Sequence, residues 1–156
     1  MKVTDILTEK FIIAELKSSQ KNEAINELLD LFKTDERVLD FEKMKESVLE
    51  REKIMSTGVG KGFAIPHGKT SGVKEILAAF GKSTKPIEYD SLDGKPVHLI
   101  FLLIGRENLV SAHIKLLSRI SRMMNKDEFR QKLISAKSTV EILDYFGQEE
   151  KNYFDV

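Results

Sequence analysis

The sequence predicts an α/β domain of three layers, a single β-sheet with helices on both of its faces, and three observations carry that prediction. Segments with apolar residues at helical spacing stand before, between and after short apolar runs of strand length, so helices are available to cover a sheet. The run Val97–Ile104 is apolar at every position except His98, the pattern of a central strand buried on both sides. A chain of 156 residues, 41% of them hydrophobic, is also long enough for one self-sufficient core. At that length about 68–70% of the unfolded surface is buried without a disulfide or metal staple.

Taken in order, Phe11–Ala14 is a short apolar run suited to a strand, and Ala24, Ile25, Leu28, Leu29 and Phe32 then recur at helical spacing. Asp40 is a candidate N-cap for a second amphipathic helix marked by Phe41, Met44 and Val48. Continuing that helix puts Arg51 at the edge of its apolar stripe. Phe63–Ile65, Ile76–Phe80 and Val97–Ile104 are the remaining predicted strands. Three helices close the chain, over 111–124, over 126–136, and from a capping box at Ser138 and Glu141 to Gly147 as the stop. No repeat, linker or low-complexity tract interrupts this order, so one domain is expected over 1–147, followed by a frayed C-terminal tail, 148–156.

Composition excludes several functions. With no cysteine there is no disulfide, thiolate metal site or cysteine nucleophile. His67, His98 and His113 form no ligand-spaced pair, so no metal or cofactor is expected. Twenty-five basic residues balance 25 acidic ones, which gives no electrostatic case for binding nucleic acid or a membrane surface. The longest apolar run, Leu99–Ile104, falls far short of the roughly 20 residues that span a bilayer, and the N-terminus lacks the apolar region of a signal peptide. A cytoplasmic protein is the expectation.

Chemistry concentrates in Arg51–Thr70, where four glycines and a histidine surround a short apolar strand. A Walker loop ending in Gly68-Lys69-Thr70 would need glycine where Phe63 stands, and a dinucleotide fingerprint starting at Gly58 fails at the same residue. What remains is a glycine-loosened loop feeding the strand Phe63-Ala64-Ile65, ended by Pro66-His67-Gly68. Pro66 fixes its own φ and biases Ile65 to extended geometry, while Gly68 leaves the approach to the imidazole open. A histidine so presented, partly neutral near pH 7, can attack phosphorus and later act as a leaving group. Taken alone, the tripeptide is also an ordinary turn.

A second histidine adds weight. At 100° per residue His113 shares a helix face with Leu116, Leu117, Ile120 and Met124, and Lys115, Arg119 and Arg122 share the opposite one, read as a solvated back. His113 thus points inward from a first helical turn, where the dipole favours its neutral form and free N–H groups suit an anion. Alone it would be read as a core histidine. Two histidines and Arg51, each at the end of an element and on or near a buried face, favour a shared cleft. Such a cleft can pass a phosphoryl group without metal when the donor is already a phosphohistidine. His98, within its apolar strand, and Met123-Met124 are read as structural.

These residues resemble a known family. Arg51-Glu52, followed by Ser56-Thr57-Gly58-Val59-Gly60-Lys61-Gly62-Phe63-Ala64-Ile65-Pro66-His67-Gly68-Lys69, is similar to the active-site signature of the fructose/mannitol type of enzyme IIA of the bacterial phosphoenolpyruvate-dependent phosphotransferase system, which includes a nitrogen-regulatory paralogue. The segments from Ser91 to Ile104 and from Ala112 to Arg122 extend the similarity, which spans Ile6 to Phe146. The resemblance implies a mixed sheet between two helical layers. It makes His67 the phosphorylated residue, His113 the second active-site histidine and Arg51 the active-site arginine. It also implies the histidine phosphocarrier protein as donor and a cysteine of a IIB component as acceptor; lacking cysteine, this chain must find that acceptor on another polypeptide. The competing expectation is a regulatory module whose phosphohistidine state controls docking on target proteins. The Ala112–Arg119 stretch favours the sugar-transport branch. Phe63 stands where the signature has an aliphatic residue, and Lys61 where relatives often carry an acidic or amide residue.

Overall fold

The computed structural model describes residues 1–153. Its elements in chain order are α1 (Val3–Ile6), β1 (Ile12–Ile13), α2 (Lys21–Leu29), α3 (Phe41–Ile54), β2 (Gly58–Gly60), β3 (Phe63–Ala64), β4 (His67–Thr70), β5 (Leu77–Ile87), β6 (Val97–Arg106), α4 (Val110–Met124), α5 (Asp127–Ser135) and α6 (Thr139–Tyr153). The sheet runs β1-β5-β6-β3-β2, with β4 also paired to β6. It is mixed: β1–β5, β3–β6 and β4–β6 are parallel, β5–β6 and β2–β3 antiparallel.

Successive residues of the two long strands point to opposite faces, and the core divides accordingly. Ala78, Phe80, Leu99, Phe101 and Leu103 pack with side chains of α1, α4, α5 and α6, where the Phe146 ring meets those of Phe80, Phe101 and Phe129. Leu77, Ala79, Ile100, Leu102 and Ile104 pack with α2 and α3 on the other face. This is the three-layer α/β/α arrangement the periodicity predicts, with β6 at its centre. Asp40 caps α3, accepting from the backbone N–H of Lys43 at 3.1 Å, and Ser138 accepts from that of Glu141 at 3.1 Å.

Three expectations need correction. The first strand is only Ile12–Ile13; Phe11 belongs to a 3-10 turn and stacks its ring on Phe32, with centroids 4.6 Å apart. The strand expected to end at Phe80 continues to Ile87, because pairing with β6 carries it through Lys82, and the register shifts before exposed Pro86, where no N–H is required. Gly147 does not stop the last helix, which runs on to Tyr153, so the boundary at 147 falls inside α6. Tertiary contact overrides the local signal there. Glu150, buried, accepts from the backbone N–H groups of Val3 (2.6 Å) and Thr4 (3.0 Å) and from the Thr4 hydroxyl (3.0 Å), joining the end of the chain to its beginning. Residues 154–156 of the expected tail lie outside the described residues.

Candidate functional site

β3 and β4 lie one after the other along the same edge of β6: Phe63 and Ala64 pair with Leu99 and Ile100, then His67 and Gly68 with Leu103 and Ile104. The break between them falls at Ile65-Pro66, where proline has no N–H to give the ladder. The carbonyl of Pro66 still accepts from Leu103 N–H at 3.1 Å, but that of Ile65 turns to the side chain two residues on. It lies 2.9 Å from Nδ1 of His67. A carbonyl oxygen can only accept, so Nδ1 carries the proton and Nε2 is left with its lone pair free. His67 is therefore not in a turn ending a strand, as the tripeptide suggested, but is the first residue of β4. Gly68 has a different reason as well. A Cβ there would lie 2.5 Å from the Ser47 hydroxyl and 2.9 Å from its backbone carbon, so the glycine lets α3 pack directly on β4.

The inward face of α4 delivers His113, only 2% exposed, to a ring-centroid distance of 5.6 Å from His67 with the planes inclined by 54°. Both of its ring nitrogens are buried without a hydrogen-bond partner, so the site contains two nitrogens with unused bonding capacity. Burial, with smaller contributions from His67 and Lys69, lowers its pKa from 6.5 to about 4. Burial also lowers the pKa of His67; the Ile65 carbonyl and, more weakly, Glu52 oppose this, and Arg51 and Lys69 add to it. Both rings are thus neutral at pH 7. Space for the His113 ring comes from Gly105 at the end of β6, where a Cβ would sit 2.5 Å from its Nδ1.

Arg51, in the last turn of α3, donates to the carbonyl of Met55 at 2.9 Å and lies within electrostatic reach of His67. The structure thus brings all three predicted site residues together. The loop that follows is tighter than its glycines suggest: β2 and β3 form a hairpin closed by Lys61 and Gly62, both left-handed with φ of 60° and 79°. Four positions had no role in the sequence reading, although Glu52 and Thr57 lie within the quoted signature: Gly105, and the buried group of Glu52, Thr57 and Tyr89 beside Arg51. For Glu52 a signal existed, since it continues the Met44, Val48 stripe at a spacing of four.

Elsewhere His98 is held through Nδ1 by the Ser83 carbonyl at 2.9 Å, and Met123 and Met124 are buried core. The basic stripe on α4 is not uniformly solvated, because Arg119 is partly buried 3.8 Å from Glu150. No described helix is long and apolar enough to cross a membrane.

A neutral imidazole of fixed tautomer with one open nitrogen, a second neutral imidazole beside it, and cations at the rim form an arrangement that can take up an anionic group. Residues 5–149 match the family described as "Phosphoenolpyruvate-dependent sugar phosphotransferase system, EIIA 2", and the chain belongs to it. It is 37% identical over 151 residues to the PTS system fructose-specific EIIABC component of Bacillus subtilis, covering 97% of this chain but only 24% of that protein's length. It is 36% identical to a nitrogen regulatory protein of Bradyrhizobium diazoefficiens, over 88% of this chain and 89% of the relative. The crystal structure of nitrogen regulatory protein IIA-Ntr from Neisseria meningitidis superposes with a TM-score of 0.86 at 33% identity, over 92% of this chain and 98% of that one.

Proposed function

We propose that the chain is a phosphoryl carrier in which Nε2 of His67 accepts a phosphoryl group from the phosphohistidine of the histidine phosphocarrier protein and passes it to a cysteine of a IIB component. In the first step the donor's P–N bond breaks as the P–N bond to Nε2 forms, and the donor imidazole leaves. In the second a cysteine thiolate takes the phosphoryl group and His67 returns to its neutral form. The observation that carries this reading is the tether of Nδ1 to the Ile65 carbonyl, which leaves Nε2 unprotonated and open beside His113. His113 borders the group without bonding covalently to it and, with Arg51, stabilises charge on the transferring oxygens. No metal or nucleotide takes part once the donor is phosphorylated.

Membership of the family and the similarity to a fructose-specific EIIABC component support the sugar-transport branch. The similarity to IIA-Ntr and to a nitrogen regulatory protein favours a second reading, in which the phosphohistidine state controls docking on target proteins. Incubation with phosphoenolpyruvate, enzyme I and the phosphocarrier should give an acid-labile, alkali-stable phosphoprotein, in excess chelator and without ATP. Equal labelling of His67→Ala refutes the carrier reading. Discharge of the label to a IIB cysteine selects transport; retention of the label with state-dependent binding to a target selects regulation.

A further inference from the structure

Glu52 is buried, 5% exposed, and its carboxylate is an acceptor on every side. One oxygen takes Lys21 Nζ at 3.1 Å and the backbone N–H of Thr57 at 2.8 Å; the other takes the Thr57 hydroxyl at 2.6 Å and the Tyr89 hydroxyl at 3.2 Å. Lys21 and the Thr57 N–H can only donate, so the oxygen they share acts purely as an acceptor. Burial pushes the Tyr89 phenol well above its ordinary pKa, which keeps it a donor. Lys21 also lies over the Tyr89 ring, 5.0 Å from its centroid. The cluster therefore joins α2, the end of α3, the start of β2 and the segment after β5.

Its position explains what it does. Arg51 is the preceding residue on α3, and its guanidinium donates to the carbonyl of Met55, two residues before Thr57. Glu52 clamps Thr57 by both backbone and side chain, so it fixes the short segment on which Arg51 leans. The same Thr57 carbonyl accepts from Ile65 N–H at 3.3 Å, which continues the connection to the carbonyl that holds the His67 tautomer. We infer that Glu52 is a positioning residue for phosphoryl transfer: through Thr57 and Tyr89 it fixes the Met55–Thr57 segment that holds the Arg51 guanidinium at the end of α3. The inference rests on the carrier reading above.

The test is a double-mutant cycle on the full chain, read as single-turnover transfer from radiolabelled phosphocarrier per folded molecule. Glu52→Gln keeps the shape but puts a donor among donors, and should slow transfer by about 10- to 100-fold, the order of cost of a misplacement of about 1 Å. Tyr89→Phe removes one donor and should slow it less, in the same direction. In an Arg51→Ala background both substitutions should change the rate by less than about threefold, because the residue through which they act is gone. A merely structural role would lower thermal stability and leave transfer per folded molecule untouched. Equal slowing with and without Arg51, or parental rates in Glu52→Gln, overturns the inference while leaving the carrier reading intact. A parent protein that takes no label on His67 overturns both.

Discussion

Gly105 offers a direct test of whether the placement of His113 matters to transfer. The residue is not in the left-handed region, so the constraint is one of space: an added methyl would lie 2.5 Å from His113 Nδ1, where ordinary contact begins at 3.4 Å. In Gly105→Ala the ring must therefore retreat by about 0.9 Å, and it has nowhere loose to go, being 2% exposed on a face packed by Leu116 and Ile120. A misplacement of about 1 Å can cost about 10²-fold in rate, equivalent to about 2.7 kcal/mol of barrier. Transfer from phosphorylated His67 to an acceptor cysteine, followed by rapid quench on the folded variant, should slow by about 10- to 100-fold. Overpacking should also destabilise the protein by about 1–3 kcal/mol, which calorimetry would register as about 2–4 °C in Tm for each kcal/mol. The decisive arm is the His113→Ala background. With the ring gone the methyl enters vacated space, and Gly105→Ala should then be nearly neutral in rate. Parental transfer by Gly105→Ala alone, or the same slowing with the ring absent, would refute the reasoning.

Other consequences can be measured separately. Glu150→Ala strips acceptors from Val3, Thr4 and the Thr4 hydroxyl and should lower stability by at least about 2 kcal/mol in urea unfolding; a loss under 0.5 kcal/mol would make the join between the chain ends energetically idle. Lys61→Gly relieves a left-handed non-glycine residue, φ 60°, and should stabilise by about 1 kcal/mol, visible as a higher midpoint at unchanged slope. Both site histidines have native pKa values below the unfolded value of 6.5, so the unfolded chain binds more protons. Stability is then full above pH 6.5 and falls as pH drops toward 4, and the fall should be shallower in His113→Gln. An identical pH slope in that variant would mean that His113 is not held neutral by the fold.

How much was legible follows from the range of each signal. Helical and strand periodicities are local, and they sufficed to predict the three layers, the central strand β6, the inward direction of His113 and the place of Arg51 at the edge of its stripe. Caps at Asp40 and Ser138 are equally local and appear as predicted. The Pro66-His67-Gly68 tripeptide marked the right residue but for an incomplete reason. That His67 starts a strand, and that its Nδ1 faces the Ile65 carbonyl, depends on β6 lying alongside to hold both halves of the broken strand. The hairpin at Lys61 was missed because nothing local marks a lysine for left-handed backbone. Gly68 and Gly105 are glycines because of what packs on them, Ser47 in one case and the His113 ring in the other, each brought close only by folding. The contacts of Glu52 arise only when Lys21, Thr57 and Tyr89 converge on it, and Gly147 looked like a helix stop until Glu150 found the N-terminus. Sequence determined which faces are apolar and which residues can do chemistry, since both are properties of short segments. Tertiary structure alone decided hydrogen-bond partners, tautomer and burial, because these depend on residues that meet across tens of positions of chain.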